Sequence, residues 1–576
     1  MCDISGVVNN VFPIAVQRRS VWARGSTIAA LLGLTLHAAL ALNAARRLSP
    51  TWDEIAAPAS GLAQLQTGAL TLNTVNPFLS RLFYALPLTV QGATLPWDHP
   101  AWRERDEYRF GFQYTFRNRV APQRLIVASR LVAVLFSLGV GILLFLRTKA
   151  VWGPLGGAVA VWAYGATPIL ASRASIAMAE MPMYFFILLA LAFHTRREKK
   201  RDAASLWATG LCAGLALLCK LAALPLLPLF FIWEWMRPGK KPRIVDRLAD
   251  PLRFAGIAVA VFALSYLPWK NGLAALGMAC DNLRRFDKII PYYFHERVWT
   301  AGNTFLSWGA FAVKAPPAIL GLAGLGAWGW WKSGADRPGW WRWTLFGGLV
   351  LGTVLFFDRP VSTVQLSPFY LSAVVLAAGV AGFPRSRRRH VSAAVIGLLG
   401  WAWVDIAEAH PNALGYFNGF AGGPDQGWRW LADSDHDWGQ GLPLLAEHLR
   451  RDPPGTLLLA YSGSGDPEAY GLRYVDFFSP ALVSWERRDD LSVSPRTPVV
   501  LAVATKLLQT NPELFETPLT RWTPRARVGH CFILWDLRST DRIGWLHDQY
   551  VAMGRPVHAR WTTRITPGDP KPNPGD

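Results

Sequence analysis

From residue 26 to residue 408 the chain alternates long uncharged apolar runs with short basic loops, the pattern of a bundle of membrane-spanning helices. The first run, Ser26 to Ala45, carries no charged residue, and about 20 apolar residues are what a hydrocarbon core of roughly 30 Å demands. Counting such runs predicts eleven spans, at 26–45, 125–146, 151–171, 176–195, 203–219, 221–236, 253–269, 311–331, 343–357, 361–383 and 390–408. With the N-terminus in the cytoplasm, the loops on that side are RTK at 147–149, RREKKRD at 196–202, RPGKKPR at 237–243, Lys332 to Arg342, and RSRRR at 385–389. All five are basic, as the positive-inside rule requires.

An odd number of spans places the chain after residue 408 outside, with the long first loop 46–124, the turn before Glu180, and residues 270–310. The net charge of +20 over 576 residues then reads as membrane orientation, and nucleic acid is set aside as a partner. Arg18, Arg19 and Arg24 precede an apolar run too long for a signal-peptide core, so this segment reads as a retained anchor. In the first loop, RFGFQYTFRNR (109–119) predicts amphipathic helices lying on the membrane. Of five cysteines only Cys280 and Cys531 could meet in an oxidising compartment, and no spacing supports a metal site.

Near residue 409 the composition changes. LPLLAEHLRRD (442–452) has helical periodicity, whereas TLLLAYSG (456–463), PVVLAVA (498–504) and HCFILWDL (530–537) read as strands. The division predicted is a membrane domain over 1–408, an extracytoplasmic α/β domain over 409–565, and a disordered tail over 566–576.

Several residues could carry chemistry. Asp53 and Glu54 follow the first span closely and could meet a lipid headgroup; equally, Thr51 and Glu54 have the spacing of a capping box. Glu180 could serve a site or cap the helix that follows it. Lys220 lies between two apolar runs, as a snorkelling residue would. Lys314 precedes Pro316 and Pro317 and marks a helix start as readily as a site. Asp433, Asp435, His436 and Asp437 match no strong metal template and read as a turn that docks the C-terminal domain.

The DE pair is followed by PILASRASIAMAEMPMYFFILLALAF (168–193), GLALLCKLAALPLLPL (214–229) and KAPPAILGL (314–322). This succession resembles the membrane half of the GT-C polyprenyl-phosphate-dependent glycosyltransferases, the group that includes protein O-mannosyltransferases and aminoarabinose transferases of lipid A. HPNALGYFNGFAGGPDQGWRWLADSDHDWGQGLPLLAEHL (410–449) is similar to a signature of that group running HP..L.YFN...GGP..G.....DSN.DWGQDL. The resemblance implies that Asp53 is the catalytic base and Glu180 its supporting carboxylate, with Glu54 beside them. Lys220 and Lys314 fall on basic positions that could face the phosphate, and Arg81 is a further candidate substrate-binding cation.

Three positions depart from the pattern. LNTVNPFLSRL has Val75, Asn76 and a single Pro77 where an acidic residue or His ahead of two prolines is usual; Val364 in VQLSP replaces an Arg; and Asp435 replaces the Asn of DSN. The expectation is a polytopic α-helical membrane protein of about eleven transmembrane helices, of the GT-C type, with a C-terminal extracytoplasmic α/β domain. Its expected activity is inverting transfer from a polyprenyl-phosphate sugar donor to a hydroxyl of a lipid, glycan or protein acceptor, at the outer face of the cytoplasmic membrane. No cofactor is certain, and monophosphate chemistry leaves a divalent metal open. A flippase of lipid-linked sugars and a catalytically silent relative that binds them are the alternatives.

Overall fold

The computed structural model describes residues 21–74, 76–236, 244–284, 292–300, 304–333, 340–356, 363–384, 386, 388–480, 498–538 and 540–553. Val75, Arg18, Arg19, the loop at 237–243, most of the loop before Arg342 and the predicted tail lie outside the described residues.

The chain is a multi-pass membrane protein. Among the described residues, four helical stretches are long and apolar enough to cross a bilayer: Arg24–Arg47, Pro122–Gly165, Thr363–Gly382 and Arg389–Ala409. Shorter apolar helices stand at Leu79–Val90, Ala203–Cys219, Leu221–Trp235 and Trp343–Gly352. The 44-residue helix Pro122–Gly165 covers most of two predicted spans and breaks just inside the second at Gly153, whose φ of 77° is left-handed and open to glycine at little cost. The span predicted at 311–331 is bent. Phe305–Lys314 and Pro317–Lys332 meet at 92°, because two consecutive prolines deny the ladder its N–H donors.

Small residues set one close helix contact. A side chain on Gly326 would collide with the carbonyl of Leu376, and one on Gly379 with the carbonyl of Gly326, so the two backbones touch. Gly326→Leu should force them apart at a cost of about 1–3 kcal/mol, read as a lower melting temperature in detergent.

The first loop also differs from expectation. The helices Ala56–Thr67 and Glu107–Phe116 do not lie on a surface; Pro58, Ala59, Leu62, Phe110, Phe112 and Tyr114 are all buried. The small side chains of the first let the second pack onto it, and together they form a layer over the membrane helices.

The C-terminal part is built on a five-stranded mixed sheet. In chain order, after the small hairpin of β1 (Tyr292–Phe294) and β2 (Arg297–Trp299), its strands are β3 (Thr456–Ala460), β4 (Val475–Phe478), β5 (Val499–Ala504), β6 (Ala526–Val528) and β7 (Phe532–Asp536). Their order across the sheet is β4-β3-β5-β7-β6. β3 runs parallel to β4 and β5, while β7 is antiparallel to β5 and β6. β5 is buried along its whole length, which explains its unbroken apolar sequence. The helix Leu442–Arg451 places Leu442, Leu445 and Leu449 on one face, against this sheet's core. Cys280 and Cys531 are not joined; Cys531 is buried and accepts from the Asn412 side chain at 3.2 Å.

Candidate active site at Asp53 and Glu180

The stretch Trp52–Glu54 is a single tight turn after the first helix, and its two carboxylates have different surroundings. Glu54 is locked. Its oxygens accept from Thr51 N–H at 2.8 Å, Thr51 Oγ1 at 3.1 Å, Arg130 Nε at 2.9 Å, Arg130 Nη2 at 2.7 Å and Ala177 N–H at 2.8 Å. Arg130, 1% exposed, also donates to the carbonyls of Ala45, Leu48 and Ser49, at 2.8–3.0 Å. The capping box read from the sequence is therefore present and belongs to Glu54. Burial disfavours its charge, but the Arg130 charge and hydrogen bonds outweigh that and hold the carboxyl below its ordinary range.

Asp53 is left available. It accepts one hydrogen bond at 2.9 Å from the Tyr108 hydroxyl. Its carboxyl is pushed above the usual range chiefly by burial, and further by the Asp433 and Glu180 charges; the Tyr108 bond and the Lys220 charge oppose the rise. A carboxylate made more basic, with lone pairs to spare, suits a group that must take a proton. Tyr108→Phe removes a bond that favours the ionised form. The acid limb of any Asp53-dependent pH–rate profile should then move to higher pH.

Glu180 and Lys220 come together. Lys220 Nζ donates to Glu180 Oε1 at 2.6 Å, with Glu180 side chain 3% exposed and Lys220 28%. Lys220 thus pairs with a carboxylate where the sequence favoured a snorkelling residue. The two helices that carry the pair are neighbours, and Lys220 ends one of them in extended backbone. Both charges act on Asp53, so the three residues share one electrostatic site.

Arg173, which the sequence reading passed over, completes the cluster. It lies in the helix Pro168–Ala174 and is 1% exposed. Its guanidinium lies 5.6 Å from the centre of the Trp438 ring, and Nη2 donates weakly to Ser434 O at 3.4 Å. Nε has no partner, and no carboxylate is in direct ion-pair contact with it, among the described residues. Its charge reaches Glu180 and Lys314. A buried guanidinium is costly unless its donors are met, and this one has donors to spare.

Two other candidates are engaged elsewhere. Lys314 donates to the carbonyls of Leu414 and Tyr416, both at 2.7 Å, and sits 4.1 Å from the centre of the Phe417 ring. Arg81, 3% exposed, donates to Gln64 Oε1 at 3.1 Å and to the Asn73 carbonyl. It ties together two parts of the first loop.

The DSDHDWGQ block joins these pieces. Trp52 N–H donates to Trp438 O and Ser49 N–H to Gln440 O, both at 3.0 Å, which fastens the Asp53 turn to the C-terminal part. Asp435 accepts from Thr363 N–H at 2.9 Å and Thr363 Oγ1 at 2.6 Å. The Asn expected there would offer the same acceptor, so this departure leaves the contact intact. Asp437 accepts from Gly439 N–H at 3.1 Å, and from Thr505 Oγ1 and Lys506 N–H at 3.2 Å. Among the described residues no three His, Cys, Asp or Glu are placed to hold a metal ion.

Residues 105–277 match the family described as dolichyl-phosphate-mannose-protein mannosyltransferase, over a segment that contains Tyr108, Arg130, Arg173, Glu180 and Lys220. Over those residues the resemblance to the protein O-mannosyltransferases holds. Among solved structures the chain is similar to ArnT from Cupriavidus metallidurans in the apo state, with 13% identity over 88% of this chain and 97% of that one, at a TM-score of 0.43. The same protein bound to undecaprenyl phosphate gives 14% identity over the same shares, at a TM-score of 0.44. The arabinofuranosyltransferase AftD from Mycobacteria gives 15% identity over 85% of this chain and 35% of that one, at a TM-score of 0.39. No curated protein matches the chain. The mannosyltransferase match covers the turn before Glu180 and the helices around it, whereas Asp53 and the DSDHDWGQ block lie outside it.

Proposed function

We propose that this protein is an inverting glycosyltransferase that moves a sugar from a polyprenyl phosphate to an acceptor hydroxyl at the outer face of the cytoplasmic membrane. The observation that carries the reading is the buried Arg173, in no ion pair among the described residues, whose charge acts on Glu180 of the Glu180–Lys220 pair beside Asp53. Arg173 keeps donors that no carboxylate meets among the described residues, and with Lys220 it offers two cations to a phosphate, opposite the Glu180 and Asp53 carboxylates. The sidedness rests on the five basic loops and on the odd number of spans expected from the sequence, which together would put Asp53, Glu180 and the C-terminal sheet outside.

Asp53 takes the proton of the acceptor hydroxyl as that oxygen bonds to the anomeric carbon. The bond from that carbon to the phosphate oxygen breaks with inversion, and its electron pair leaves on polyprenyl phosphate. Arg173 and Lys220 stabilise the charge that develops there. Glu180 keeps Lys220 in place, and Glu54, saturated by its donors, holds the turn that presents Asp53. The membrane domain over 1–408 and the C-terminal domain over 409–565 work together, since the DWGQ segment fixes that turn.

Val364 favours a second reading. It is 8% exposed in the turn Thr363–Leu366, an apolar side chain where the resemblance expects a phosphate-binding Arg, as a silent sugar-lipid binder would show. In the favoured reading Arg173 supplies that charge. Purified protein in nanodiscs, given a labelled polyprenyl-phosphate sugar, should release polyprenyl phosphate as sugar passes to an acceptor hydroxyl. Binding without release would leave the binder, and exchange between leaflets of proteoliposomes without transfer would establish the flippase.

A further inference from the structure

The C-terminal part places an ion pair against the Asp53 turn that the donor chemistry does not use. Lys506 Nζ donates to Asp433 Oδ1 at 2.9 Å, with side-chain exposures of 19% and 56%. The same ammonium lies 6.0 Å from the centre of the Trp52 ring, the residue next to Asp53. Trp52 packs against Tyr108 at 5.6 Å between ring centres, and Tyr108 holds Asp53. Asp433 acts on Asp53 through space. A partly open aromatic ring, a carboxylate and a neutralised ammonium thus border the side chain assigned as the base.

We propose that Trp52, Asp433 and Lys506 form an acceptor subsite that takes an uncharged polyhydroxyl group, a sugar ring or polyol. The inference rests on the glycosyltransferase reading and deepens it. The chemistry selects the class. Carboxylate oxygens accept from hydroxyls, an ammonium donates to them, and an aromatic ring covers the C–H face of a sugar. An anionic acceptor is disfavoured, because Lys506 is already paired and Asp53 and Asp433 both repel negative charge. The subsite also gives the C-terminal part a task beyond docking, since Asp433 and Lys506 come from two of its separate segments.

The test uses the full chain in nanodiscs and a panel of methyl glycosides, read by saturation-transfer difference NMR, with polyprenyl phosphate binding measured on the same samples. At least one glycoside should bind saturably. Asp433→Asn and Lys506→Met should each weaken it about tenfold, the loss of one hydrogen bond to a charged group, while polyprenyl phosphate binding is unchanged and Lys506→Arg recovers part of the glycoside affinity. Binding of no glycoside by the wild type, or binding unmoved by both substitutions, overturns the proposal if polyprenyl phosphate still binds. Should polyprenyl phosphate fail to bind the wild type while glycosides bind through Asp433, the donor reading falls and the sugar subsite stands.

Discussion

Asp53→Asn is expected to slow sugar transfer by about 10²–10⁴-fold, the range for loss of a positioned general base, while the protein stays folded and still binds polyprenyl phosphate. The substitution is close to isosteric, and the amide oxygen can keep the hydrogen bond that Tyr108 donates at 2.9 Å. Asp53 is in no ion pair among the described residues, so no buried partner is stranded. Removing its charge also relieves the repulsion with Asp433 and Glu180. Single-turnover transfer from a prebound labelled donor separates chemistry from binding; unchanged transfer would remove Asp53 from the mechanism.

Arg130→Met should have the largest effect on stability, about 3–5 kcal/mol, because it leaves the Glu54 carboxylate buried without its partner. It also strips donors from the carbonyls of Ala45, Leu48 and Ser49, where the first helix hands over to the turn that carries Asp53. A lower melting temperature and faster proteolysis of the first loop would report it. Glu54→Leu combined with Arg130→Met should recover part of the loss, since an apolar pair strands no charge. Because the folded-state value for Glu54 lies below the ordinary 4.5, its contribution is full above that pH and is lost as pH falls through the lower folded value.

What the sequence made legible was local. Thr51 and Glu54 announce their capping box by spacing, and the strands at 456–460, 499–504 and 532–536 announce themselves by short apolar runs. Pairings between distant residues were not legible. Lys220 meets Glu180 across 40 residues and Arg130 meets Glu54 across 76, and no periodicity records either. A signal for the second pair existed: an arginine inside a predicted span is expensive in lipid and implies a buried partner. Arg173, in the midst of an apolar motif, gave the same signal. The fold of the first loop was misread because RFGFQYTFRNR has the aromatic and basic content of an interfacial helix. The small residues at 56–63 gave it a protein surface to pack against instead.

The decisive measurement is the position of polyprenyl phosphate in a cryo-electron microscopy map of the full chain in nanodiscs. The account predicts phosphate density bridging Arg173 and Lys220, next to Asp53, with the isoprenoid chain running down into the bilayer from there. Density at the cytoplasmic ends of the helices, or at a site that neither cation reaches, would contradict it.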